Sequence, residues 1–288
     1  MNYLKESYTL SNAVKIPKIG LGTWLISNEN VSQSVQKALE IGYRHIDTAQ
    51  AYKNEQGVGE GIRNSNLDRK EIFVTTKLSA NIKSYQEAVV SIDKSIEELG
   101  LDYIDLMLIH SPKPWMEYHN ENRYYDENIE VWNALEEAYK SGKIRAIGLS
   151  NFLAEDIENI LMSCSVRPMV NQILAHIGNT PKKLIDYCQS KNILIEAYSP
   201  FAHGELFKNE EINKIAEKYK VSVCRLAMRY CLELGLLPLP KTQNSERMEE
   251  NAQVDFEISK QDMMFLQNIK PIRDYGEANK FPVFGGVL

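Results

Sequence analysis

The chain predicts an α/β fold, a single closed (β/α)8 barrel of the TIM type with an extra C-terminal helix and tail. Three observations predict it. Apolar β-type runs alternate with helical patterns through most of the 288 residues. The alternation yields eight strand–helix units, the number that a closed parallel barrel requires. Polar residues capable of chemistry gather at the C-terminal ends of the strands, where a barrel carries its active site. Alternation by itself also fits an open, doubly wound sheet and leaves closure undecided.

The elements follow in order. After a short polar start, strands are predicted near Ile19–Trp24, His45–Ala49, Ile72–Leu78 and Ile104–His110. Four more are predicted near Ile144–Ser150, Met169–Leu174, Ile193–Ser199 and Leu236–Pro240. Helical stretches between them include Val31–Ile41, Tyr85–Leu99, Ile129–Ser141 and Ala154–Met162. In Tyr85–Leu99 the residues Ala88, Ile92, Ile96 and Leu99 share one face, and Gly100 is a natural stop. Two helical pieces, Asn209–Lys220 and Val223–Leu234, separate strands seven and eight. A last helix near Lys260–Ile269 precedes a tail rich in Gly, Pro and Phe. No Pro/Ser-rich linker breaks the pattern, so residues 1–288 are read as one domain.

Composition narrows the function. A net charge of −6 with no Lys/Arg-rich run argues against a nucleic-acid surface. The N-terminus lacks a signal-peptide stretch, and no segment approaches roughly 18 consecutive apolar residues. The expectation is a cytoplasmic protein with no membrane span. Cys164, Cys188, Cys224 and Cys231 form no C-x-x-C pair and no cluster with histidine, so no metal site is expected. No strongly apolar exposed stripe stands out, which favours a monomer.

The polar residues at the strand ends are Asp47 and Tyr52 after strand two, Lys77 in strand three and His110 closing strand four. Ser150 and Asn151 follow strand five, Gln172 lies in strand six, Tyr198 and Ser199 end strand seven, and Lys241 and Thr242 follow strand eight. Alternation places Lys77 on the face of Phe73 and Thr75, pointing into the barrel. A buried ammonium needs a counter-charge, and Asp47 on the neighbouring strand is the candidate. Taken singly, each has a plainer reading. Asp47 could cap a helix, Tyr52 could pack, His110 could be a satisfied core histidine, and Lys77 could form a structural ion pair. Their convergence on one barrel mouth argues for chemistry.

Carbonyl reduction is a chemistry these residues could do, given a hydride donor on one side and a proton donor to the developing alkoxide. Tyr52 could protonate the developing alkoxide if a nearby Lys77 cation lowered its pKa and Asp47 held the lysine in place. His110 could orient the substrate oxygen. The hydride must come from a cofactor, because no side chain can donate one.

Several motifs then resemble the aldo-keto reductase family. They are Gly42-Tyr43-Arg44-His45-Ile46-Asp47-Thr48-Ala49 with Tyr52-Lys53-Asn54-Glu55, then Thr76-Lys77 and Leu108-Ile109-His110. Gly142–Phe152, Asn171-Gln172, Ala197-Tyr198-Ser199-Pro200, Leu239-Pro240-Lys241-Thr242 and Arg247–Asn251 continue the match in the family's order. The resemblance implies a tetrad of Asp47, Tyr52, Lys77 and His110 with Tyr52 as general acid. It implies that Ser150, Asn151 and Gln172 hold a nicotinamide carboxamide and that Tyr198 stacks on the ring, with Ser199 and Pro200 beside it. Lys241, Thr242 and Arg247 match positions that bind an adenosine 2′-phosphate, and Glu250 and Asn251 match positions near the adenine. Gly22 and Thr23 would lie near the nicotinamide, and Trp24 would form part of an aromatic substrate wall.

The residues agree with this. Arg247, Glu250 and Asn251 are spaced to share a helix face, and two cations there suit a phosphate, which favours NADPH. A solvated helix face with an incidental Glu–Arg pair is the plainer alternative. Gly20-Leu21-Gly22 lacks the third glycine of a dinucleotide fingerprint and is rejected as one. The chain departs from the family at Ser111 after His110, in Ile173-Leu174-Ala175-His176-Ile177, and at Thr242 where Ser is usual. The first two departures bear on the pocket wall. Trp115, Trp24, Tyr125 and Phe281 are its aromatic candidates.

The expected partner is therefore a small-molecule carbonyl. Two other readings compete: an NADPH-binding redox sensor that regulates a partner protein, and a barrel acting on phosphorylated sugars without a nicotinamide.

Overall fold

The structure, a computed structural model, describes residues 3–118, 120–273 and 275. An antiparallel hairpin, β1 (Ser7–Thr9) and β2 (Lys15–Pro17), comes first. Eight parallel strands follow: β3 (Leu21–Gly22), β4 (His45–Asp47), β5 (Phe73–Leu78), β6 (Leu106–Ile109), β7 (Ile147–Ser150), β8 (Val170–Leu174), β9 (Leu194–Tyr198) and β10 (Leu237–Leu239). They pair in sequence order from β3 to β10. The two ends then meet: Gly22 bridges Lys241 in parallel, and its N–H donates to Pro240 O at 2.9 Å. This closes the barrel and excludes the open sheet.

The eight strands fall where the sequence places them. The N-terminal hairpin was read only as a polar start, because three-residue strands carrying Ser, Thr and Lys show no apolar period. It lies across the N-terminal ends of the strands. The Tyr8 hydroxyl donates to Leu236 O at 3.2 Å and the Asn12 amide to Arg145 O at 2.9 Å.

The helices are α1 (Asn28–Ile41), α2 (Glu55–Arg63), α3 (Tyr85–Leu99), α4 (Tyr125–Lys140), α5 (Ala154–Ser163), α6 (Lys182–Ser190), α7 (Glu210–Tyr219), α8 (Val223–Glu233), α9 (Ser245–Ala252) and α10 (Lys260–Gln267). The α3 boundaries follow the sequence signals: Ser84 accepts from Glu87 N, and Gly100 ends the helix at φ +58°. Helix α2 is harder to read, because Gly57, Gly59 and Gly61 lower its propensity. The structure explains them by close packing. A Cβ on Gly59 would fall 1.7 Å from Leu99 O, so only a glycine lets α2 sit against the end of α3.

Strand alternation fills the barrel with polar groups as well as apolar ones. His45 and Asp47 of β4, Phe73, Thr75 and Lys77 of β5, Gln172 of β8 and Glu196 of β9 meet inside. Thr76 points the other way and donates to Glu55 of α2 at 2.6 Å. The predicted orientation of Lys77 is therefore correct. The predicted C-terminal helix is α10, and Phe281 lies outside the described residues.

Candidate functional site

Tyr52 reaches the mouth on a short 3-10 turn, Gln50–Tyr52, that ends at Lys53 with φ +55°. Two side chains hold that turn. The Gln50 amide donates to Ser91 O at 3.0 Å and Ser95 Oγ at 2.8 Å, while its oxygen accepts from Ser79 N at 2.8 Å. Asn54 donates to Thr23 O and Ile26 O and accepts from Thr48 Oγ1. With both residues locked by neighbours, the phenol between them is placed by rigid elements rather than by a loose loop. Sequence reasoning passed over Gln50 and Asn54, since a buried amide in a loop carries no periodic signal.

The four candidate residues converge. Lys77 Nζ donates to Asp47 Oδ1 at 2.7 Å, to Thr48 O at 2.8 Å and towards the Tyr52 hydroxyl at 3.5 Å. The ammonium also lies 5.0 Å from the centroid of the Tyr52 ring. The His110 ring stands edge-on to Tyr52 at 5.8 Å and to Trp115 at 5.4 Å.

Burial sets the charges. It opposes a charge on Lys77, but Asp47 and Tyr52 outweigh it and hold the ammonium above its ordinary value. Burial pushes the Asp47 carboxyl up, and the Lys77 charge pulls against it. Burial, reinforced by Lys77, drives His110 well below its usual value, so the imidazole is neutral. Lys77 does pull the Tyr52 pKa down, as expected, but the net shift is upward, because burial outweighs that pull and Asp47 adds to the rise. The phenol therefore keeps its proton at neutral pH.

A cavity of about 790 Å³ opens above these groups. Asp47, Tyr52, His110, Trp24 and Trp115 line it, as do Lys241, Thr242, Arg247, Glu250 and Asn251. Gly22, Ser150, Asn151, Gln172, Tyr198, Ser199 and Pro200 lie along the same wall. Volume does not single the site out. A cavity of the same size, about 790 Å³, lies at the hairpin end, lined by Lys15, Arg44 and Arg145 among others. What distinguishes the mouth is the convergence of an acid, a cation and a neutral histidine.

Two expected residues are absent from the wall. Thr23 is fully buried and its hydroxyl donates to Asp47 O at 2.9 Å, so it supports the wall from behind. Tyr125 is also absent; it starts α4, where Arg123 lies over its ring. Lys77 is fully buried beneath the wall. Sequence reasoning did not find Leu25, Phe201, His203 or Phe207, which line the cavity. Leu25 and Phe201 come from loops, and His203 and Phe207 from a kinked 3-10 segment, Ala202–Lys208, where no regular period marks an inward face.

Of the three family departures, only Thr242 lines the cavity directly. His176 is buried and tied to Ile177 O and the Tyr275 hydroxyl, away from the cavity. Ser111 is fully buried behind the wall; its hydroxyl donates to the Tyr118 hydroxyl at 3.3 Å, and Tyr118 stacks on Trp115 at 5.9 Å.

The Lys241–Asn251 part of the wall suits a phosphate-bearing nucleotide. Lys241 and Arg247 are exposed and make no ion pair among the described residues, so no Glu250–Arg247 pair neutralises them. Asn251 is 2% exposed, and its Oδ1 has no hydrogen-bond partner among the described residues. A buried acceptor without a partner calls for a donor from a ligand. Asn151 is spoken for in part, since it donates to His110 O and accepts from the Tyr198 hydroxyl at 2.6 Å.

The family match spans this whole arrangement. The family model described as Aldo/keto reductase family matches residues 18–270. The chain belongs to the aldo/keto reductase family. It is 43% identical to glyoxal reductase of Bacillus subtilis, over 90% of this chain and 91% of that one. It is 37% identical to methylglyoxal reductase DkgA of Escherichia coli, over 86% and 87% of the two chains. Among solved structures, an aldo-keto reductase of Bombyx mori in complex with NADP superposes with a TM-score of 0.83 at 32% identity, covering 97% of this chain and 98% of that one. Among the described residues, no helix of this family member is long and apolar enough to cross a membrane.

Proposed function

We propose that this family member is an NADPH-dependent reductase of small aldehydes, ketones and dicarbonyls, with Tyr52 as general acid. The observation that carries the reading is the position of the Tyr52 hydroxyl, 3.5 Å from Lys77 Nζ, in the wall of a cavity that Lys241 and Arg247, two cations without an ion pair among the described residues, also line. The names of the B. subtilis and E. coli relatives, which reduce glyoxal and methylglyoxal, support dicarbonyls as substrates.

When bound, NADPH supplies the hydride that no side chain can give. Ser150, Asn151, Gln172 and Tyr198 would hold its nicotinamide end; Lys241, Thr242 and Arg247 would hold the 2′-phosphate, with Glu250 and Asn251 at the adenine. The chain's own residues handle the proton. Tyr52 gives its phenolic proton to the carbonyl oxygen as that oxygen gains charge, and the product leaves as an alcohol. Lys77 stabilises the tyrosinate left behind, and Asp47 keeps Lys77 in place. Neutral His110 donates an N–H to the same oxygen and orients it. Trp24 and Trp115 flank the substrate and keep water from it.

The test is loss of NADPH absorbance with a panel of aldehydes and dicarbonyls. Turnover establishes the reductase. Tight NADPH binding without turnover on any member of the panel would instead favour the redox-sensor reading. Arg247→Ala separates the two nicotinamides. Losing one charge-assisted contact to the 2′-phosphate is expected to weaken NADPH binding by about ten- to a hundred-fold and to leave NADH unchanged. Titration of cofactor fluorescence reads both, and equal weakening of the two would remove Arg247 from the phosphate.

A further inference from the structure

Beneath Asp47 the barrel holds a second carboxyl that the proposed reaction does not use. Glu196 lies inward on β9, fully buried, and pairs in register with Gln172 of β8 and Leu237 of β10. Its Oε2 accepts from Gln172 Nε2 at 2.7 Å, and the same nitrogen donates to Asp47 Oδ2 at 2.8 Å. One amide thus joins two carboxyl groups. The other oxygen, Oε1, is buried without a hydrogen-bond partner among the described residues. The nearest ionisable nitrogen, His45 Nε2, is 3.8 Å away and already contacts Thr75 Oγ1 at 2.9 Å.

The charges around Glu196 do not balance if it ionises. Asp47 and His45 face it from β4 and Lys77 from β5, while β8 offers a neutral amide and β10 an apolar side chain. Burial, with a smaller push from Lys77, drives His45 down to about 3, so it contributes no charge. One ammonium therefore faces two carboxyls. Burial and then the charge of Asp47 push Glu196 up to about 8, which leaves it protonated at neutral pH.

We propose that Glu196 is a positioning residue of the reductase: as an uncharged acid it pins the Gln172 amide against Asp47 and keeps the Lys77–Asp47 pair balanced beneath Tyr52. The proposal rests on the reductase reading above. Both amide hydrogens of Gln172 are spent on the two carboxyls, which turns its oxygen away from them. A flipped amide would set that oxygen against carboxyl oxygens. Loss of the Glu196 proton places a net negative charge one amide away from Asp47. That charge opposes formation of the tyrosinate, so reduction slows as pH rises through the Glu196 titration.

Two readouts test this on the full chain. The first is kcat against pH for wild type, Glu196→Gln and Glu196→Leu. Wild type is expected to lose rate as pH passes about 8, where Glu196 ionises. Glu196→Leu removes the acceptor for Gln172 and is expected to lose about ten- to a hundred-fold in kcat at every pH through misplacement of the site. Glu196→Gln keeps an acceptor, should recover most of that loss, and should lack the alkaline limb because it cannot ionise. If Glu196→Leu fails to fold, the Glu196→Gln profile decides alone. The second readout needs no turnover: an infrared band of a protonated carboxyl at neutral pH, present in wild type and missing from Glu196→Gln. An unchanged alkaline limb in Glu196→Gln, wild-type kcat in a folded Glu196→Leu, or absence of the infrared band each overturns the proposal. A wild type inactive on every carbonyl overturns the reductase reading instead, and the infrared band still reports whether Glu196 carries the proton.

Discussion

Tyr52→Phe is expected to lower kcat for carbonyl reduction by about 10²- to 10⁴-fold, the usual worth of a positioned general acid. The substitution removes one oxygen and keeps the ring, so the edge-on contact with His110 and the stacking space above Lys77 survive. Cofactor affinity should not change, because none of the residues placed at the phosphate or adenine touches Tyr52. The measurement is therefore a pair: steady-state turnover and NADPH fluorescence titration on the same protein. A large fall in kcat with an unchanged Kd supports Tyr52 as the acid. Retention of more than half the wild-type rate would move the proton elsewhere, and the neutral, strongly depressed His110 offers no good substitute.

Lys77→Met carries the second large effect, and it reaches stability as well as rate. Lys77 is fully buried, and its ammonium makes the contact to Asp47 at 2.7 Å. Removing one partner of a buried ion pair costs about 3–5 kcal/mol, because the other charge is left without compensation. Asp47 can relieve part of this by taking up a proton, since burial already pushes its carboxyl up. The sign follows from linkage: a carboxyl whose folded pKa is raised contributes stability below its unfolded value and loses it as pH rises through the folded one. The variant should therefore be least stable at alkaline pH and approach wild type as pH falls. Urea unfolding at mildly acid and alkaline pH checks this. A deficit independent of pH would show that Asp47 is not the group left exposed to the loss. Turnover should fall along with stability, because the tyrosinate at Tyr52 loses its cation.

Much of this site was legible before any coordinates. Asp47, Lys77 and His110 sit on strands or at strand ends, where a period of two tells inward from outward. Tyr52 follows a strand by only a few residues. The α9 residues Arg247, Glu250 and Asn251 were legible because a helix also has a period, and all three do line the cavity. Gln50 and Asn54, which lock the Tyr52 turn, and Phe201, His203 and Phe207, which line the cavity, were not. They sit in loops and short 3-10 turns, whose side-chain directions follow from tertiary contacts and from no repeat in the sequence. Glu196 was missed for a different reason. It obeys strand alternation with Tyr198, yet one acidic residue in an apolar run has no visible partner until β8 and β4 are brought beside it.

The amino-acid sequence alone located the eight strands, the inward lysine and the candidate for its counter-ion. These depend on local periodicity and on the rule that a buried charge must be paired. Tertiary structure decided two things. It closed the barrel, through the contact of Gly22 with Lys241 and Pro240 between strands more than two hundred residues apart. It also set the protonation states, holding the Tyr52 phenol and the Glu196 carboxyl in their neutral forms. The reason is the same for both: desolvation depends on what surrounds a group in space, and the neighbours that surround Tyr52 and Glu196 come from strands distant in the chain.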